Sequence, residues 1–149
     1  MNKLIASVFG IGYIKGGGTV AAMVTCVFIY LMWQSPVMHN SVYFLFITFA
    51  VTLLGVFVGN KVEPAWGKDS YRVVIDEVAG MMVTMLFIPA GIYYLVIGLV
   101  LFRFFDIVKP LYIRRMEALP GGTGVMADDV LAGVYANIVL QVLVYFIKF

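Results

Sequence analysis

The sequence predicts an all-α, polytopic membrane helix bundle, with about five membrane-embedded helices and a short N-terminal interfacial helix. The chain is 63% hydrophobic and only 12% charged, whereas soluble domains carry roughly 25% charged residues. Its mean hydropathy is +1.03, and its apolar runs approach the length that crosses a bilayer. We expect residues 1–149 to form a single domain, and the net charge of +2 gives no sign of a nucleic-acid partner.

The first 60 residues predict the interfacial helix and two membrane helices. Residues 1–18 are too short for a span, and their glycines predict a loop after the short helix. Thr19 is expected to cap the first membrane helix, which runs over residues 19–33. The second helix is predicted over residues 42–60. Its Gly55 and Gly59 form a GxxxG pattern, which is typical of close helix contacts.

A polar loop is predicted over residues 61–72, and an apolar stretch follows, broken at residues 89–91 by Pro-Ala-Gly. Two topologies fit this pattern: one kinked span over residues 73–105, or a hairpin of two shorter helices. A single span would be about 50 Å long, too much for a hydrocarbon core of roughly 30 Å. We therefore favour the hairpin, with helices over residues 73–88 and 92–105.

The last helix is predicted over residues 127–149, entered through Asp128 and Asp129. One face of this helix carries a residue that is polar or small at every fourth position. These residues are Asp129, Gly133, Asn137 and Gln141.

The hairpin topology places the charged stretches on one side of the membrane. All eight acidic residues lie within residues 63–77 and 106–129, and seven of the ten basic residues lie within residues 61–115. The opposite side receives His39, the turn at Pro89 and the C-terminus with Lys148. Because positive residues concentrate on the cytoplasmic side, we expect the charged face to be cytoplasmic.

The charged face has the composition of a metal-assisted phosphate site. Five carboxylates lie at predicted helix ends near one interface, and carboxylate oxygens suit a hard divalent cation, most of all magnesium. These are Asp76, Glu77, Asp106, Asp128 and Asp129. Arg103 and Lys109 flank Asp106 at three residues on either side, where they could hold a phosphate. A water activated by the metal is the nucleophile that fits best.

Other interpretations of these residues remain open. Asp76–Glu77 and Asp128–Asp129 could cap helix N-termini, where negative charge is favourable. Glycine loops at 16–18 and 121–124 could bring backbone N–H groups to an anion. Glu63, Asp69 and Glu117 are interpreted as solvated loop charges. Cys26, in an apolar run, is interpreted as a packing residue, and His39 is predicted on the wrong face for a nucleophile.

Three motifs resemble the phosphatidylglycerophosphatase A family: I-D-E-V-A-G at 75–80, F-R-F-F-D-I-V-K-P at 102–110, and G-G-T-G-V-M-A-D-D-V-L-A-G at 121–133. The resemblance implies a magnesium-dependent phosphatase of the bacterial inner membrane. It would remove the terminal phosphate of phosphatidylglycerophosphate, giving phosphatidylglycerol. The family usually reads F-G-x-G and then P-G-T-x-G-S near the N-terminus. Here the proline and the Gly-Ser are missing, while Thr19 is kept as a phosphate-binding candidate.

We therefore expect a multi-pass phosphoric monoester hydrolase whose site faces the cytoplasm and whose substrate is a phospholipid of the bilayer. The expected metal ligands and catalytic groups are the five carboxylates, and the expected phosphate-binding residues are Arg103, Lys109 and Thr19. The alternatives are a phosphatase of another phosphomonoester lipid and a non-enzymatic cation-binding membrane protein.

Overall fold

A computed structural model describes residues 1–35, 41–68 and 70–147, and over these residues the chain is all-α, with seven α-helices and no strand. The helices are α1 (Asn2–Ala6), α2 (Gly17–Trp33), α3 (Ser41–Trp66), α4 (Ile75–Thr84), α5 (Ile92–Val108), α6 (Ile113–Met116) and α7 (Gly121–Phe146). A 3₁₀ turn at Ile11–Tyr13 links α1 to α2. The predictions that concern His39, Asp69 and Lys148 lie outside the described residues.

Among the described residues, two helices are long and apolar enough to cross a membrane, namely α3 and α7, whose most apolar segments have mean hydropathies of 2.3 and 1.7. A third, α2, is apolar but shorter, at 17 residues. The all-α prediction is thus confirmed for the described residues, and these helices suggest a membrane protein. The number of membrane-embedded helices stays a prediction.

The long helices α3 and α7 pack closely through glycines. A Cβ on Gly59 would lie 2.8 Å from Gly122 Cα, and one on Gly55 would overlap the Met126 side chain. Asn60 Oδ1 also accepts a hydrogen bond of 2.8 Å from the Gly122 N–H. The prediction that Gly55 and Gly59 mark a close helix contact is confirmed.

The helix α2, which was predicted as the first membrane helix, begins earlier than predicted. The N-cap of α2 is Gly16, in the left-handed conformation with φ 77°, and the helix starts at Gly17. Glycine adopts this conformation without steric cost, so the chain turns into the helix there. The prediction that Thr19 is the N-cap is wrong, because Thr19 lies within the first turn.

The helix α3 continues six residues beyond its predicted end at Asn60, through Pro64 to Trp66. Val58 and Val62, one turn apart, are 0% and 2% exposed, so the buried stripe continues into the segment predicted as a loop. Burial of that stripe outweighs the one backbone hydrogen bond that Pro64 cannot donate.

The hairpin prediction is confirmed by the pairing of α4 with α5. Gly80 packs against Phe102, whereas Gly98, on the preceding turn of α5, packs against Met85 farther along the chain. The two helices are therefore antiparallel, and α4 ends at Thr84, four residues before its predicted end.

The early end of α4 is stabilised by a side chain of α7. The Asn137 amide donates hydrogen bonds of 2.8 Å to the carbonyls of Thr84 and Leu86. On the same face of α7, Gly133 lies against the Gly80 carbonyl. The face that carries a polar or small residue at every fourth position is thus the one that contacts α4.

The helix α7 begins at Gly121, six residues before its predicted start, with Pro120 as its N-cap. The prediction of a glycine loop at 121–124 is therefore wrong. Gly122 packs directly on the backbone of α3, and Gly124 packs on the Leu119 carbonyl. These contacts leave no room for side chains, and they hold the segment in its helical position.

Candidate active site

Three carboxylates converge where α4 meets α7. Asp76 and Glu77 lie in the first turn of α4, and Asp129 lies in the third turn of α7. One oxygen from each lies within 4.8 Å of the others. The close approach follows from glycines one turn further along each helix, since Gly80 and Gly133 bring the two backbones together. We call Asp76, Glu77 and Asp129 the carboxylate triad.

Asp76 and Asp129 of the triad are buried, Glu77 is partly buried, and one oxygen of each lacks a partner. Asp76 is 8% exposed and Asp129 is 3% exposed. Within the described chain, Asp76 Oδ1, Glu77 Oε2 and Asp129 Oδ2 have no hydrogen-bond partner. Two ionised carboxylates at this separation repel by about 3 kcal/mol at an effective dielectric constant of 20. A divalent cation would relieve that repulsion and satisfy the oxygens, so these residues fit magnesium.

Helix capping does not explain Asp128 and Asp129, which were predicted to stand at the entrance of the last helix. Both lie in the interior of α7 and are 3% exposed. For Asp76 and Glu77, in the first turn of α4, attraction to the helix N-terminus does contribute. The N-cap of α4 is Val74, which makes no side-chain cap.

Arg103 and Asp106 border the triad from α5. Arg103 forms an ion pair with Asp106 one turn later, and its Nη1 lies 3.9 Å from Glu77 Oε1. Asp106 is 9% exposed, and its charge acts on both Glu77 and Asp129. Asp106 thus lies beside the triad and holds the Arg103 guanidinium next to it.

Lys109 and Asp128 form a separate cluster with Glu117. Lys109 Nζ donates hydrogen bonds of 2.6 Å to Asp128 Oδ2 and to Glu117 Oε1. Lys109 ends α5 in the left-handed conformation, with φ 48°, so the chain turns away after it. Burial lowers the pKa of Lys109, but the two hydrogen bonds outweigh it and raise that pKa above its usual value.

This second cluster adds to one interpretation and leaves two predictions untested. Glu117, interpreted as a solvated loop charge, has a side chain that is 37% exposed, and its carboxylate also pairs with Lys109. Asp128 Oδ1 accepts the Asp129 backbone N–H at 3.1 Å, so both its oxygens have partners within the protein. The metal role of Asp128 and the phosphate role of Lys109 stay predictions.

A polar cavity of about 540 Å³ opens beside the triad. Glu77 and Arg103 line one part of it, and Lys15, the glycines at 16–18 and Thr19 line another. The structure therefore brings Thr19, Arg103 and Glu77 to one cavity. Lys109 is not among the residues that line it.

Gly18 has a part in this site that the sequence did not reveal. A Cβ on Gly18 would overlap Glu77 Oε1, so the missing side chain leaves the space that the carboxylate occupies. The run of three glycines was a visible signal, but it was interpreted as a source of backbone N–H groups.

Arg72 was also overlooked. Its guanidinium lies 5.3 Å from the ring centroid of Tyr71 and 6.0 Å from those of Tyr13 and Trp66. These cation–π contacts join the 3₁₀ turn, the end of α3 and the segment that leads into α4. Aromatic residues near an arginine were the only sequence signal, and they could not specify the contact.

Comparison with known proteins matches most of the chain to one family. A family model described as phosphatidylglycerophosphatase A matches residues 4–144. A phosphatidylglycerophosphatase A of Escherichia coli K12 is 32% identical over 120 residues, which cover 78% of this chain and 67% of that protein. One of Haemophilus influenzae is 39% identical over 105 residues, covering 68% of this chain and 64% of that protein.

A third relative carries a different name. A Bacteroides thetaiotaomicron protein, provisionally named phosphatidylinositol-3-phosphatase, is 48% identical over 94 residues, covering 61% of this chain. The chain spans 59% of that protein's length and 64% of the Haemophilus protein's. No solved structure matches the chain.

Proposed function

Because this chain belongs to the phosphatidylglycerophosphatase A family, we propose that it is a phosphoric monoester hydrolase acting on phosphatidylglycerophosphate. The reaction would remove the terminal phosphate and leave phosphatidylglycerol in the bilayer. The observation that carries this proposal is the carboxylate triad, in which each residue has one unpartnered oxygen and Glu77 lines a polar cavity together with Arg103.

The proposed roles follow from where each side chain lies. Arg103 binds the phosphate in the polar cavity through its guanidinium, which Asp106 orients, and Thr19 offers a hydroxyl on the facing wall. Preorganised positive charge of this kind stabilises the charge that develops on the phosphate oxygens.

The triad is the proposed magnesium site, and Asp106 and Asp128 complete the proposed set of five metal-binding and catalytic carboxylates. Magnesium bound there would supply Lewis-acid polarisation of the phosphate and activation of a water molecule. Lys109 stays a second candidate for the phosphate. Its ammonium would have to exchange one of its two carboxylate partners for the substrate.

We propose that the whole chain is one domain with about five membrane-embedded helices in the bacterial inner membrane. Its site would face the cytoplasm. Support comes from the charge distribution, since the acidic residues fall within residues 63–77 and 106–129, and seven of the ten basic residues lie within residues 61–115. Glu77 of the first acidic stretch and Asp106 of the second both lie beside Arg103.

The test is phosphate release from phosphatidylglycerophosphate by the purified chain in detergent. We expect release that requires magnesium, stops with EDTA and returns when magnesium is added. Asp129→Asn should lower kcat by about 100-fold or more, as removal of one essential polar group typically does. Glu63→Gln is the matched control, because this carboxylate lies on α3 outside the triad. No release by the wild type, or unchanged release by Asp129→Asn, would refute the proposal.

A second candidate substrate is phosphatidylinositol 3-phosphate, and it is favoured by the name of the Bacteroides thetaiotaomicron relative. Comparing kcat/KM for the two lipids under the same conditions decides between them. A non-enzymatic cation carrier has less support, because the Asn137 amide of α7 donates hydrogen bonds to the carbonyls of Thr84 and Leu86.

A further inference from the structure

An apolar groove runs between α2 and α5 on an exposed face of the bundle. Its volume is about 210 Å³. Cys26, Val27 and Tyr30 line it from α2, and Ile92, Val96 and Leu99 line it from α5. We call it the α2/α5 groove.

The groove continues the polar cavity along the same two helix faces. On α5, Leu99 of the groove lies one turn before Arg103 of the polar cavity, and residues four apart share a face. On α2, Cys26 and Tyr30 follow Thr19 by seven and eleven residues, which also keeps them on one face. The polar end and the apolar end therefore belong to one continuous seam.

The length of this seam matches one leaflet of a bilayer. Eleven residues separate Thr19 from Tyr30 and Arg103 from Ile92, which corresponds to about 17 Å along each helix. Half of a hydrocarbon core is about 15 Å thick. The groove thus reaches the depth to which an acyl chain extends when its headgroup lies in the polar cavity.

We propose that the α2/α5 groove binds one acyl chain of the same lipid whose phosphate occupies the polar cavity. This inference rests on the proposed phosphatase function. The lipid would be held at two points: its phosphomonoester by Arg103, and its chain by the side chains of the groove. The groove thereby selects diacyl phosphomonoesters over water-soluble ones, because a soluble substrate cannot use the apolar contacts.

Filling the groove tests the proposal kinetically. Val96 is 55% exposed, so Val96→Trp should fold while its indole occupies the groove. The substrates are dioleoyl and dihexanoyl phosphatidylglycerophosphate, which share a headgroup. We expect KM for the dioleoyl lipid to rise about tenfold. This rise corresponds to the loss of the binding free energy of fewer than two buried methylene groups. For the dihexanoyl lipid, KM should rise less and kcat should stay near that of the wild type.

The matched control is Val142→Trp, at a valine of α7 that is 51% exposed and lies outside the groove. This variant should behave as the wild type with both lipids. An equal effect of Val96→Trp on both lipids, or none, overturns the groove assignment. Absence of phosphate release by the wild type overturns the proposed function instead, so the two failures are distinct.

A binding measurement avoids dependence on the variant's folding. A phosphatidylglycerophosphate carrying a mid-chain diazirine is photolysed with the Asp129→Asn protein, and the labelled peptides are sequenced. We expect labels on the α2 and α5 residues of the groove, displaced by excess dioleoyl phosphatidylglycerophosphate and not by phosphatidylcholine. Equal displacement by phosphatidylcholine would show ordinary bilayer lipid in the groove and overturn the proposal.

Discussion

Replacement of Gly18 by alanine tests whether the position of Glu77 controls the activity. The added Cβ would lie 2.8 Å from Glu77 Cδ, whereas ordinary contact begins at 3.4 Å, so Cδ must retreat by about 0.6 Å. Oε1 lies closer still and must move farther. Because Glu77 is a flexible side chain, it can yield without unfolding the helix, but it then leaves its place beside Asp76 and Asp129.

The expected result is a loss of activity without a loss of stability. A displacement of roughly 1 Å at a reacting centre can reduce the rate by about 100-fold, equivalent to about 2.7 kcal/mol. Alanine is a better helix former than glycine by up to about 1 kcal/mol, so the unfolding temperature of Gly18→Ala should not fall. Phosphate release is measured against magnesium concentration, and we expect half-maximal activity at a higher concentration.

The control is a double-mutant cycle with Glu77→Asp, whose side chain is one methylene shorter. In that background the Cβ at position 18 meets less of the carboxylate, so Gly18→Ala should have a much smaller effect. If Gly18→Ala alone keeps its activity within about threefold of the wild type, with an unchanged magnesium requirement, the reasoning about Glu77 is refuted.

Three further substitutions test the packing around the site by thermal unfolding in detergent. Gly122→Ala would press a Cβ onto the backbone of α3, which cannot yield, so the free energy of unfolding should fall by about 1–3 kcal/mol. Its control is Thr123→Ala at the exposed neighbouring position, which should change the free energy of unfolding little. Asn137→Ala leaves the carbonyls of Thr84 and Leu86 without their donor, which should lower the free energy of unfolding by about 1–3 kcal/mol. It should also speed hydrogen exchange in α4. Lys109→Met deprives the buried Asp128 of its cation and should destabilise the protein by about 3–5 kcal/mol. An unchanged unfolding temperature for any of the three would contradict the corresponding contact.

Much of the fold follows from local features of the sequence. The composition alone indicated apolar helices, and the Pro-Ala-Gly break with the span length indicated the α4–α5 hairpin. The helix ends were less predictable, because they depend on distant contacts. Burial of Val62 against the core extends α3 past Asn60, and the contact of Gly122 with α3 makes a predicted loop the first turn of α7. The local sequence around these helix ends does not reveal either contact.

The sequence by itself determined which residue types are available to the site: carboxylates, an arginine, a lysine and glycines near one predicted interface. Only the tertiary structure decided which carboxylates form the triad and which pair with Lys109. Asp128 and Asp129 are adjacent, but neighbours on a helix point about 100° apart. Asp129 therefore faces α4, where it joins Asp76 and Glu77, while Asp128 faces Lys109 and Glu117. Which of the two aspartates faces α4 depends on how α4 and α7 pack. Gly80 and Gly133 determine that packing, and these two residues lie about 50 residues apart in the chain.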